Sequence, residues 1–115
     1  MKKIEAIIRP EKLDAVKDAL ALKGMLGMTV THVSGRGRQK GIALQWRAGE
    51  YRVDFLPKLK IEVVLADEEL QVAIDAICTA AKTGREGDGM IFVLPVENAY
   101  RVRTNDKGEI CATVK

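Results

Sequence analysis

The order of apolar patterns predicts an α+β fold, with two helices on one face of a four-stranded antiparallel sheet. Three observations predict it. A strand-like alternation, a helical stripe and a second strand occupy the first 35 residues. A ten-residue stretch, PKLKIEVVLA, alternates apolar and charged residues over its first part and keeps Leu59, Ile61, Val63 and Leu65 on one face. A second helical stripe then leads through a glycine-rich turn into an apolar run, so the elements read β-α-β-β-α-β.

The first strand is KKIEAII, residues 2–8, with Ile4, Ala6 and Ile8 on one face and Lys3 and Glu5 on the other. Pro10 pre-sets the first turn of a helix whose stripe is Leu13, Val16 and Leu20, and Gly24 suits the left-handed residue that ends it. MTVTHVSG, residues 28–35, is rich in β-branched residues and predicts the second strand. Residues 36–56 mix five basic residues with three glycines and show no sustained period. A connection longer than about 12–15 residues in a compact domain is usually functional or disordered, so this segment is expected to be a long loop. The third strand is PKLKIEVVLA, 57–66, with Leu59, Ile61, Val63 and Leu65 facing inward and Lys58, Lys60 and Glu62 outward. Asp67 is placed to cap the next helix, with Glu68 and Glu69 near its positive end. Leu70, Ile74, Ile77 and Ala81 form that helix's expected buried stripe, and MIFVLPV supplies the fourth strand before a polar tail. This is the ferredoxin-like arrangement, with a charged helix-free face suited to solvent or to a subunit interface.

Length and composition set the function classes. A chain of 115 residues fits one domain, and 47% hydrophobic with 30% charged residues is a globular balance. Nineteen basic against 16 acidic residues leave only +3, too mixed for a dedicated nucleic-acid binder. No run approaches the ~18 apolar residues that span a bilayer. The start, MKKIEAIIRPEK, is charged within five residues and does not read as a signal peptide. Cys78 and Cys111 stand far apart without a second pair, which argues against a metal cluster and for a reduced cytoplasmic protein.

Chemistry concentrates in three segments. TGREGDGMIF, 83–92, carries three glycines in six positions, more than a single helix cap requires. Glycine permits positive φ and short backbone contacts with an anion, so close approach of a ligand is expected. The P-loop pattern fails, because Met90-Ile91 stands where Lys and Ser/Thr belong and the segment follows a helix instead of opening one. GRGRQK, 35–40, places Arg36, Arg38 and Lys40 among glycines, and in RVR, 101–103, two arginines alternate, so an extended backbone would point Arg101 and Arg103 the same way. Guanidinium forks suit phosphates. Each pair alone reads as solvated surface; with the glycine segment they make a phosphate site. His32 is the sole histidine, in mid-strand, where a structural role outweighs a phosphohistidine, and without it no Ser-His-Asp set can be assembled. Trp46 and Tyr51 sit in the long segment, either as partner contacts or packed loosely on the body. An RNA-binding module would need aromatics on strands 2–8 and 57–66, which have none.

The blocks MKKIEAIIRP, GMTVTHVSGRGRQKG, EYRVDFLPKLKIEVV, TGREGDGMIFV and RVRTNDKGE, in this order, resemble the PII nitrogen-regulatory signal-transduction family over nearly the whole chain. The resemblance implies a single domain over 1–115, a homotrimer and nucleotide sites in the clefts between subunits. ATP and ADP would compete there, and MgATP would admit 2-oxoglutarate. It implies a T-loop at about 37–55, a B-loop at about 82–90 and a C-loop at about 101–109. It places Gly37, Arg38, Gly87, Asp88, Gly89, Arg101 and Arg103 at phosphate contacts, and Thr29, Glu62, Val64 and Thr83 near adenine and ribose. Gln39 would complete Mg2+ coordination and, with Lys40, Gly41, Lys58 and Gly87, hold 2-oxoglutarate. Met90 takes a nucleotide-contacting position where the family usually has a basic residue. Tyr51 matches a nucleotidylylated tyrosine, although WRAGEY around it departs from the family's usual stretch. By the same resemblance the protein is no enzyme but a cytoplasmic regulator. Its T-loop would reach an ammonium transporter, a glutamine-synthetase-regulating enzyme, a transcription regulator or an enzyme of nitrogen metabolism. Membrane contact would come only through a transporter, and no direct nucleic-acid contact is implied. The alternative within this resemblance is a nucleotide sensor with another effector or partner.

Overall fold

Alternation in β1 (Lys2–Ile8) drives Ile4, Ala6 and Ile8 to within 2% of complete burial and leaves Lys3, Glu5 and Ile7 on the other face. The computed structural model of the chain describes residues 1–37, 42–46, 49–53 and 55–111. The further strands are β2 (Thr29–Gly35), β3 (Ile42–Trp46), β4 (Gly49–Val53), β5 (Leu56–Leu65) and β6 (Gly89–Pro95), and the helices are α1 (Leu13–Leu22) and α2 (Leu70–Ala81). The main sheet runs β2-β5-β1-β6, with every neighbouring pair antiparallel. The predicted ferredoxin-like α+β fold is therefore present, with strand limits displaced by one residue at most of the predicted ends.

The core lies between the sheet and the helices. Leu59, Ile61, Val63 and Leu65 of β5 join β1's apolar face, covered by Val16 and Leu20 of α1 and by Ala73, Ile77 and Ala81 of α2. Each fully buried Ile, Leu or Val contributes roughly 1.5–3 kcal/mol relative to exposure. The stripe of α2 differs slightly from expectation. Ala73 is fully buried, while Leu70 and Ile74 are only partly buried against the core.

The helix ends show two different stops. At the end of α1, the Gly24 N–H donates to the Ala21 carbonyl and the Met25 N–H to the Leu20 carbonyl, with Gly24 at φ +78° and Met25 buried. This double bond pattern is a Schellman cap, as the glycine predicted. The start of α2 corrects the expected cap. Asp67 lies inside a 3-10 turn, Asp67–Glu69, entered from an extended Ala66, and no side chain caps it. An acid already inside the first turn lacks the geometry to accept from the next two amides, though its charge still favours the positive helix end.

Among the described residues of 36–56, a strand pair stands where the aperiodic sequence predicts a loop. β3 and β4 pair as an antiparallel ribbon from Ile42↔Val53 to Trp46↔Gly49, separate from the main sheet. Ladder bonds belong to the backbone, so a two-stranded ribbon needs no apolar alternation to form.

One backbone position governs how β6 joins β1. Gly89 has φ +119°, and a Cβ built there would sit 1.8 Å from the Ile7 carbonyl oxygen. Gly24 also has positive φ, but its Cβ would meet nothing within 4 Å. Gly24→Ala should therefore cost only about 1 kcal/mol, the strain of a left-handed alanine. Gly89→Ala should cost about 2–4 kcal/mol, from strain and overpacking together. Urea unfolding of the two variants checks the order; equal losses would count against a contact at Gly89.

Candidate functional site

The site grows from one row at the end of the sheet. Continuing the β1 ladders by one residue past Ile8↔Leu59 and Ile8↔Gly89 sets Arg9 between Lys58 and Asp88. Two cations and an acid thus meet where β1 ends and the segment between α2 and β6 returns. Arg9 was not singled out by motif, since 79 positions separate it from Asp88. The signal was the pairing of the first and last strands, which no local pattern reveals.

Asp88 organises the glycine segment. Its carboxylate accepts from the Thr83 amide at 2.8 Å, the Gly84 amide at 2.9 Å, the Thr83 hydroxyl and the Arg9 Nε at 3.1 Å. The Thr83 hydroxyl, with the Thr83 and Gly84 amides and Arg9, holds this carboxyl well below its ordinary value of 3.8. Arg9 also donates through Nη2 to the Glu86 carbonyl at 2.7 Å. Gly84, Gly87 and Gly89 all take positive φ, which lets the chain curl around one carboxylate.

Lys58 closes the row from the other side. It is only 8% exposed, and its Nζ donates to the Gly87 carbonyl at 2.6 Å. Burial, then the nearby Arg9 charge, lowers the pKa of this ammonium. Between the end of β2 and the glycine segment opens a cleft of ≈ 550 Å³, with Ile7 and Lys58 at its floor, Gly35–Gly37 on one rim and Arg85–Gly89 on the other. Met90 and Phe92 of β6 form an apolar wall. That volume is in the range of small-molecule sites.

The structure gathers some of the expected residues and separates others. Gly37, Lys58, Gly87, Asp88, Gly89 and Met90 all line the cleft, and Thr83 is bonded to Asp88 beside it. Asp88's carboxylate is occupied by its own loop and by Arg9. Thr29 and Glu62 face each other across β2 and β5, with Val64 two residues further along β5. At about 3.3 Å per residue, Val64 lies ~20 Å along the strand from Lys58. Glu62 is held by Lys3 at 3.0 Å, the bond that chiefly lowers its pKa. Arg101 and Arg103 do not line the cleft. The extended backbone expected for them is also replaced: residues 102–104 turn, with the Asn105 N–H on the Arg101 carbonyl at 2.7 Å and the Arg101 N–H on the Asp106 carbonyl at 2.8 Å. Asn105, with φ +61°, takes the left-handed position such a tight return requires, so strand alternation does not apply. Arg38, Gln39, Lys40 and Gly41 lie outside the described residues. Tyr51 pairs with Leu44 in β4, with its side chain outside the described residues. His32 is exposed on β2 opposite Leu59.

Comparison with known proteins gives a coherent result. The family model for nitrogen regulatory protein P-II matches residues 1–106. The chain is 60% identical over 108 residues to a nitrogen regulatory protein P-II of Azospirillum brasilense, covering 94% of this chain and 96% of the relative. It is 57% identical over 109 residues to one from Cereibacter sphaeroides, covering 95% and 97%. A relative of the same name from Microchaete diplosiphon is 54% identical over 107 residues, covering 93% and 96%.

The Asp88 network has a definite acid response. A carboxyl held below its ordinary value stabilises the loop above that value, and the stabilisation is lost only as pH falls through the lowered one. The Thr83 and Gly84 amide resonances should therefore stay constant from about pH 7 down past 3.8 and move only in stronger acid. Asp88→Ala should raise hydrogen exchange at both amides on the order of tenfold, by removing their acceptor. A titration midpoint at or above 3.8, or unchanged exchange in the variant, would contradict this loop anchor.

Proposed function

The chain belongs to the nitrogen regulatory protein P-II family, and from that premise we propose that it senses ATP, ADP and 2-oxoglutarate as a trimeric regulator of nitrogen metabolism. The observation that carries the reading is the loop 83–89, held open by Asp88 over a cleft with Lys58 at its floor. Exposed backbone of glycines at positive φ offers amides to phosphates at no steric cost. Lys58, buried and weakly solvated, offers an ammonium to the carboxylate of a small organic acid once its bond to Gly87 is exchanged. In this reading the site residues are Gly37, Arg38, Gln39, Gly87, Asp88, Gly89, Met90, Arg101 and Arg103 for phosphates, and Thr29, Glu62, Val64 and Thr83 for adenine and ribose. Gln39, Lys40, Gly41, Lys58 and Gly87 hold 2-oxoglutarate, and Gln39 orients Mg2+ held by the ATP phosphates. The protein acts by binding, without turnover, in the cytoplasm. The β3–β4 ribbon belongs to the segment 37–55 that contacts targets such as an ammonium transporter or an enzyme of nitrogen metabolism, with Tyr51 as its modification site.

A trimer is supported by what one chain leaves unfinished. Arg101 and Arg103, and the group Thr29, Glu62 and Val64, stand apart from the glycine cleft of the same chain, so a neighbour must complete each site. β6 is a sheet edge on which Met90 is 62% and Phe92 50% exposed. Exposed apolar edges invite pairing with another chain.

Two measurements test the proposal. Calorimetry should give micromolar binding of ATP and of ADP, with 2-oxoglutarate binding only in the presence of MgATP. Arg101→Ala or Arg103→Ala should each weaken ATP by about 1.5–3 kcal/mol, as loss of a charge-assisted contact would. If both variants titrate like the wild type, the phosphates lie elsewhere. Light scattering should give three times the 12.7 kDa chain mass, and a monomer at micromolar concentration would rule the assembly out.

A further inference from the structure

We infer that Arg36 and Arg85, on opposite rims of the glycine cleft, form a cationic pair that takes the terminal phosphates of the bound nucleotide and sets discrimination by phosphate number. The inference rests on the nucleotide reading above and extends it to two residues outside that set. It follows from separating the charges at the cleft into those already used within the fold and those left for a ligand.

Three charged groups at the cleft's base are committed. Lys58 donates to the Gly87 carbonyl, Asp88 accepts four bonds from Thr83, Gly84 and Arg9, and Arg9 spends both Nε and Nη2 on the loop. Arg36, Arg85 and Glu86 also line the cleft, and all three are exposed. Among the described residues, neither arginine's side chain has a hydrogen bond or ion pair. Two uncommitted guanidinium groups against one carboxylate leave the mouth of the cleft net positive.

Their placement suits a polyanion. Arg36 sits on the rim formed by Gly35–Gly37, and Arg85 on the loop curled around Asp88. The loop holding Arg85 is itself fixed, since the Arg85 amide donates to the Thr83 hydroxyl oxygen at 3.2 Å and Arg9 holds the neighbouring Glu86 carbonyl. The wall between them is apolar, with Ile7, Met90 and Phe92, and offers no competing cation. A guanidinium fork binds phosphate oxygens in pairs, and an apolar wall on one side reduces screening of that contact. A nucleoside monophosphate held by the loop amides would not need the rims. A diphosphate or triphosphate extending across the mouth would use them.

The test is calorimetry of the full-length protein with AMP, ADP and MgATP, on the wild type, Arg36→Ala, Arg85→Ala and the double variant. Each single substitution should lower the ratio of ATP to AMP affinity about tenfold, and the double variant by more, while AMP changes less than about twofold. Arg85→Lys should recover only part of the loss, because an ammonium lacks the fork. The urea midpoints should stay unchanged, since both side chains are exposed and unbonded. A double variant that keeps the wild-type ratio, in a protein that binds ATP, overturns the inference and leaves the nucleotide reading standing. A wild type that binds no nucleotide overturns both.

Discussion

A carboxylate that accepts four hydrogen bonds from its surroundings is the constraint on which the rest of this site depends. Asp88 ties together the exit of α2, through Thr83 and Gly84, and the end of β1, through Arg9. Because Gly89 follows directly and leaves no room for a side chain beside the Ile7 carbonyl, the position of the loop is coupled to the register of β6. A single anion therefore organises the chain leaving α2 and helps align the last strand. It also leaves Gly87 and Gly89 lining the cleft. Once paired with Arg9, it removes from the cleft the negative charge that would otherwise repel an anionic ligand.

The same row explains why Lys58 is tolerated with so little exposure. An ammonium in partly dry surroundings is costly unless it is bonded, and here the Gly87 carbonyl supplies the bond. Arg9 next to it adds repulsion, so the lysine is held under two opposing influences, burial and like charge against one hydrogen bond. In the proposed function, a ligand carboxylate would replace that one bond, giving Lys58 different contacts in the two ligand states.

The helix-free face shows a second economy of charge. Glu5 and Glu62 are direct cross-strand partners, an arrangement that is unfavourable for like charges. Lys3 resolves it by bonding both, at 3.1 Å and 3.0 Å, and its pKa rises chiefly through the bond to Glu62. Lys60, 4.0 Å from Glu62, supplies the second cation, so the sheet presents a charge-balanced surface next to the apolar β6 edge, with these side chains only partly exposed. In the proposed assembly, covering such paired charges would cost less than covering unpaired ones.

The sequence by itself determined the elements and the faces. The period-2 apolar positions Leu59, Ile61, Val63 and Leu65 and the stripe Val16–Leu20 marked which side is core, because burial of apolar surface acts on a local period that can be read along the chain. Gly24 announced its cap, and the glycines at 84, 87 and 89 announced a backbone conformation closed to other residues. The aperiodic segment 36–56 hid its ribbon, since backbone pairing leaves no mark on apolar spacing. Tertiary structure alone decided that Arg9, Lys58 and Asp88 form one row, that Asp88's charge is spent inside its loop, and that Arg101 and Arg103 stand apart from the cleft. Those facts follow from strand order and register, which bring Arg9 to Asp88 across 79 positions through contacts that no window of sequence contains.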